Sequence, residues 1–152
     1  MSWNKDRSVI LSQVSTRVIM VLAVMLGVAL PFFRTGGIYL GRMSVAATDV
    51  LPLMLVYYAF CIPAFVALFS LDRLLAAIKR DEVFTEGNVR YLRIISWACF
   101  AAAFVLLAGS LVLHILFLAL AILAIFFGVV LRVVKNLFAA AVELQDENNY
   151  TI

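Results

Sequence analysis

Apolar positions in this chain gather into long unbroken runs and do not alternate with polar ones. The stretches from Val18 to Phe33, Val50 to Leu71 and Ile94 to Leu131 contain no Asp, Glu, Lys or Arg. A bilayer core of about 30 Å needs roughly 20 such residues in a helix, so each of the first two runs predicts one membrane span. The third is 38 residues long. As one helix it would reach about 57 Å at 1.5 Å per residue, nearly twice the hydrocarbon thickness, so it must fold back on itself. Small and polar residues coincide in it only around Gly109, Ser110 and His114, which predicts a tight turn with its tip between Gly109 and His114. The expected organisation is a single membrane domain over residues 1–152. Its spans are 18–33, 50–71, 94–111 and 115–131, with a loop over 72–93 and a tail over 132–152.

Two stretches beyond the spans are amphipathic. Leu71, Leu74, Leu75 and Ile78 follow the i, i+3, i+4, i+7 spacing of one helix face, flanked by Asp72, Arg73, Lys79 and Arg80. The second helix should therefore continue about two turns past the membrane. It should break at Phe84-Thr85-Glu86-Gly87-Asn88, where the third helix starts. Val134, Leu137, Phe138 and Ala141 form a similar stripe, carrying the fourth helix to about Asp146. Pro63 removes a helical hydrogen bond from the second span and predicts a kink near Ala59. Pro52 lies in the first turn after Thr48 and Asp49, either of which can cap the helix. Ala23 and Gly27, Ala98 and Ala102, and Ala124 and Gly128 are small pairs four apart, the spacing that lets helix backbones approach in lipid.

Composition agrees: 66% of residues are hydrophobic and 14% charged, with a mean hydropathy of +1.10. A water-soluble chain has nearer half and a quarter. These figures rule out a secreted disulfide scaffold, a disordered tail and a nucleic-acid-binding domain with its own basic face. With four spans, both termini and the middle loop share one side. That side has Lys5, Arg7, Arg17, Arg73, Lys79, Arg80, Arg90, Arg93, Arg132 and Lys135, whereas the other has Arg34 and Arg42. Positive charge favours the cytoplasm, so the expectation is a multi-pass cell-membrane protein with both termini cytoplasmic. The basic N-terminal segment before an apolar run reads as a retained signal anchor, because no small-x-small cleavage site follows it.

Candidate chemistry is sparse. The spans contain no ionisable carboxylate or cation of the kind that marks function inside a membrane. Cys61 and Cys99 lie within apolar runs with no CxxC and read as small hydrophobes. His114 is the one histidine of the chain, and a lone histidine makes neither a metal site nor a dyad. Tyr57 and Tyr58 can hydrogen-bond between helices, while Trp97 and Tyr91 suit anchoring at the inner interface. The Arg34–Asp49 segment, with Gly36, Gly37 and Gly41, reads as a connecting outer loop. No catalytic, cofactor-binding or metal-binding residue is expected. Glu143, Asp146 and Glu147 crowd the end of the fourth helix, where its dipole disfavours negative charge. Either the basic middle loop on the same side compensates them or the carboxylates are simply solvated.

Two segments carry a family resemblance. One is Leu71-Asp72-Arg73-Leu74-Leu75, Val83-Phe84-Thr85 and Asn88 through Ser96. The other is Glu143-Leu144-Gln145-Asp146-Glu147-Asn148 followed by Tyr150-Thr151-Ile152. Together they resemble the small bacterial four-helix membrane proteins grouped as domain of unknown function 2975, in which an acidic tail usually ends in Thr-Ile. The resemblance implies no reaction. Members are often encoded beside a very small helix-turn-helix regulator, which implies a membrane protein that holds or controls a transcription factor.

The fold class expected is therefore all-α, an integral membrane four-helix bundle with cytoplasmic helix extensions. The leading functional expectation is a non-enzymatic regulatory or sensory protein. Its cytoplasmic face would bind a soluble partner, such as a small DNA-binding regulator, through Arg73, Phe84, Asn88, Arg90, Arg93, Glu143, Asp146, Glu147, Tyr150 and Ile152. Beyond the lipid bilayer and that regulator, a second copy of the chain is a further partner class, and no direct nucleic-acid binding is expected. The alternative is a small oligomeric transporter or channel subunit, for which the polar candidates are Ser70, Ser96, Ser110, His114 and the tyrosines.

Overall fold

The computed structural model describes residues 3–34, 38–40, 43–45, 50–80 and 82–151. Four long helices dominate it: α1 (Trp3–Ala29), α2 (Val50–Lys79), α3 (Glu86–Val112) and α4 (Leu116–Tyr150). Each is long and apolar enough to cross a membrane, and the chain is an all-α, multi-pass membrane protein. Between α1 and α2 lie a 3-10 turn, Leu30–Arg34, and two short antiparallel strands, β1 (Ile38–Leu40) and β2 (Met43–Val45), with Tyr39 opposite Ser44. Thr48 and Asp49, the expected caps of α2, lie outside the described residues.

The helices run past the apolar stretches at one end. Helix α1 begins well before Val18, because its polar first half contains neither Gly nor Pro to stop it. There the Thr16 hydroxyl donates back to the Ser12 carbonyl at 2.9 Å, and Arg17 pairs with Asp72 of α2 at 3.2 Å. Helix α2 passes uninterrupted through Pro63 to Lys79, and α4 continues beyond Leu131 to Tyr150, past the expected end at Asp146. At 1.5 Å per residue the 35 residues of α4 reach about 52 Å, well beyond a bilayer core.

The turn between α3 and α4 lies at Leu113–Ile115, at the His114 end of the expected tip and beyond Gly109 and Ser110. Those two residues stay helical for physical reasons. The Ser110 hydroxyl donates to the Leu107 carbonyl at 2.7 Å within the helix. Gly109 is needed for packing, since a Cβ there would stand 2.9 Å from Val56 Cγ1. The reversal is made instead by Leu113 N–H donating to Gly109 O at 2.8 Å and by Phe117 N–H donating to His114 O at 3.0 Å. The Leu116 N–H donates to His114 Nδ1 at 3.2 Å, which satisfies one free amide at the start of α4.

The helices stand in a row and do not close into a ring. Helix α3 packs extensively on both α2 and α4, and α1 packs on α2; among the described residues no other helix pair has comparable contact. Two tyrosines clasp α1 to α2: Tyr57 donates to the Ala23 carbonyl at 2.6 Å and Tyr58 to the Gly27 carbonyl at 2.7 Å. The small residues of α1 thus serve as accessible acceptors. Ala98 and Ala102 are buried at the centre of the row, as is Gly128 of α4.

All these contacts are antiparallel. They bring the N-terminal ends of α1 and α3 and the C-terminal ends of α2 and α4 together, with Arg73, Lys79, Arg80, Arg90, Arg93, Arg132 and Lys135. This basic end has its own core, in which Leu74, Leu92 and Ile95 are buried and Leu71, Ile78, Tyr91, Val134 and Phe138 pack around them. The amphipathic stripes of α2 and α4 therefore meet across α3. Leu137 alone of the four-residue stripe on α4 points away, and it is exposed.

Candidate functional site

Of the ten residues proposed from sequence, the nine described ones concentrate at the basic end, and the structure sorts them into three environments. Asn88 belongs to the scaffold. It is 1% exposed, and its side-chain amide donates to the carbonyls of Glu82 at 2.6 Å and Val83 at 2.8 Å. Its backbone N–H donates to the Thr85 hydroxyl at 3.4 Å, the side-chain cap of α3. A buried amide needs such partners, and here it fastens the α2–α3 connection instead of presenting a surface.

Phe84 and Arg73 are exposed but engaged. The Phe84 ring lies 5.6 Å from that of Phe138, so the connection is also pinned to α4. The Arg73 guanidinium sits 5.1 Å above the Phe69 ring on its own helix. Ile152 lies outside the described residues.

The other six converge. Arg90 and Arg93 of α3 and Glu143, Asp146, Glu147 and Tyr150 of α4 line one groove of about 730 Å³. Glu86, Val89, Ala139 and Val142 complete it. The spacing explains the convergence. Positions 86, 89, 90 and 93 share a face of α3, and 139, 142, 143, 146 and 150 share a face of α4. The antiparallel pairing sets those faces opposite each other. The α3 wall carries two guanidinium groups and the Glu86 carboxylate, and the α4 wall carries three carboxylates. Yet among the described residues none of these charges approaches an opposite charge within 4.0 Å across the groove. Tyr150 stands at its end, 92% exposed.

Two features were hidden from the sequence. Leu137 and Leu144 are exposed on α4, two turns apart and on the side turned away from the groove. Within the apolar part of the row, a cavity of about 780 Å³ opens between α2, α3 and α4. Val56, Phe60, Ala64, Cys99, Leu106 and Leu123 are among its lining residues. Tyr57 also lines it, but its hydroxyl is committed to Ala23. Such a surface suits acyl chains and offers no path of polar groups to an ion. Among the described residues no group of three His, Cys, Asp or Glu is placed to hold a metal.

A family profile described as "Protein of unknown function (DUF2975)" matches residues 5–152. No curated protein matches the chain. No solved structure does so either.

Proposed function

The chain belongs to the DUF2975 family, and on that footing we propose that it is a non-enzymatic regulatory membrane protein whose basic end binds a soluble partner. The observation that carries this reading is the groove between α3 and α4, with two arginines facing three carboxylates that are not paired across it. Opposite charges held apart on rigid helices remain available to a third party. A partner presenting both signs, such as an amphipathic helix, would satisfy both walls. The exposed Tyr150 supplies the amphipathic aromatic that such interfaces favour.

In this proposal the basic end is cytoplasmic, as the bias of Lys and Arg favours, and the membrane is the bacterial cell membrane. The partner is a small helix-turn-helix regulator, the class to which the family's gene neighbourhoods point. Holding such a protein at the membrane would withdraw it from DNA. The apolar lining of the intramembrane cavity weighs against the transporter alternative.

The experiment is deletion of residues 146–152 in the native membrane. The reading expects the helices to insert with unchanged stability while a co-purifying DNA-binding protein is lost. Destabilised helices would instead make the tail an internal staple. No change in stability, capture or phenotype would overturn the reading.

A further inference from the structure

A second cleft lies on the membrane side of the groove, at the level where charge gives way to hydrocarbon. Arg93 immediately precedes the uncharged run that starts at Ile94, and Arg132 immediately follows its end at Leu131. Because α3 and α4 are antiparallel neighbours, these two boundary residues come to the same height. With Lys135, Ser96 and Trp97 they line a cleft of about 150 Å³.

No carboxylate lines that cleft, and among the described residues none of its three cations has an ion pair within 4.0 Å. The Ser96 hydroxyl is already donated to the Gly128 carbonyl at 2.8 Å. Arg132 is held in place, its guanidinium 5.5 Å from the centres of both the Trp97 and Phe100 rings. Cation–π contacts of this kind hold the guanidinium beside the rings without using its N–H donors in hydrogen bonds. The cleft is thus a cluster of three cations, one of them held by aromatic rings, without an ion-pair partner among the described residues and at headgroup depth.

Beside it runs an apolar groove of about 420 Å³ between α2 and α3, lined by Ile62, Pro63, Val66 and Ala101 and bounded by Arg93 and Trp97. Those last two residues line both spaces. One molecule can therefore occupy the two together if it carries an anionic head and a hydrocarbon chain.

We propose that Arg93, Arg132 and Lys135, with the adjoining Ile62–Ala101 groove, form a binding site for an anionic glycerophospholipid. The phosphate sits among the three cations and one acyl chain passes over Trp97 into the groove. Basic clefts between membrane helices are a recognised way of holding such headgroups. The second requirement, an apolar channel leading inward from the charge, separates this site from an ordinary fringe of interfacial Lys and Arg. The inference does not depend on the partner-binding role of the α3–α4 groove.

The test uses the full chain reconstituted into phosphatidylcholine vesicles, with Trp3→Phe leaving Trp97 as the sole tryptophan. Chain-brominated phosphatidylglycerol or brominated phosphatidylcholine is added at equal mole fraction, and quenching of Trp97 fluorescence is read. The site predicts preferential quenching by the anionic lipid. The preference should fall about fivefold for each cation removed in Arg132→Gln and Lys135→Gln, and Lys79→Gln, a basic change elsewhere at the same end, should leave it unchanged. Equal quenching by both lipids in the parent protein overturns the proposal whatever the variants do. So does an equal loss of preference in Lys79→Gln, which would show a diffuse surface charge.

Discussion

Ser96 on α3 donates its hydroxyl to the carbonyl oxygen of Gly128 on α4 at 2.8 Å. Both residues are buried, and the Phe100 ring lies 3.1 Å from where a Cβ on Gly128 would stand. The absence of a side chain on Gly128 admits both the hydroxyl and the ring. This contact locks the α3–α4 pair midway along the seam that carries both clefts.

Breaking the lock should loosen that pair. Ser96→Ala removes an interhelical hydrogen bond worth about 0.6 kcal/mol, and at most about 1.7, in membrane proteins. Gly128→Val forces the Phe100 ring to move and should cost about 1–3 kcal/mol. Unfolding in mixed micelles by increasing SDS measures both. The double variant should lose less than the sum of the singles, since both act on one contact.

Gly109 makes a similar close approach to α2. Gly109→Ala places a methyl group 2.9 Å from Val56 Cγ1, and a β-branched side chain has little rotamer freedom with which to withdraw. The expected loss is about 1–3 kcal/mol. Adding Val56→Ala should restore part of it, and failure to do so would place the strain elsewhere.

Asn88 and Arg90 should separate structure from binding. Asn88→Ala leaves two carbonyls of the α2–α3 connection without their donor, at a cost of about 1–3 kcal/mol. Faster proteolysis between Glu82 and Glu86 would report it. Arg90→Glu changes an exposed groove residue and should alter stability by no more than about 0.5 kcal/mol while weakening partner capture.

Orientation is open to cysteine labelling in intact cells. With the basic end cytoplasmic, a cysteine replacing Gly37 or His114 should react with an impermeant reagent, and one replacing Glu86 should not. The reverse pattern would invert the proposed topology.

The number of helices was legible because run length is a one-dimensional property: 38 uncharged residues cannot make one span of ordinary length. The turn falls at the His114 end of the expected segment for a reason the sequence conceals. Gly109 and Ser110 look like chain-reversing residues, but a glycine in a membrane helix serves equally to admit a neighbour, and here Val56 occupies the space. Asn88 misled in the same way, since a polar residue beside a helix start can face outward or fasten the loop beneath it. The charges of the groove were visible in the sequence, while their convergence on one groove comes from the pairing of α3 with α4. The phospholipid cleft was not visible, because Arg93 and Arg132 are far apart in sequence and meet only through the α3–α4 hairpin.

The row arrangement bears on how the protein is made. Each helix after the first packs on the one before it, so each interface can close as soon as its second helix leaves the insertion machinery. No helix has to wait for a distant partner, and contacts between sequence neighbours close quickly. The first two helices, clasped by Tyr57 and Tyr58, can settle before α3 and α4 arrive as a hairpin. Of the four helices α4 emerges last, and its end forms the carboxylate wall of the groove. The charged groove is therefore completed only after the membrane portion that carries it has emerged.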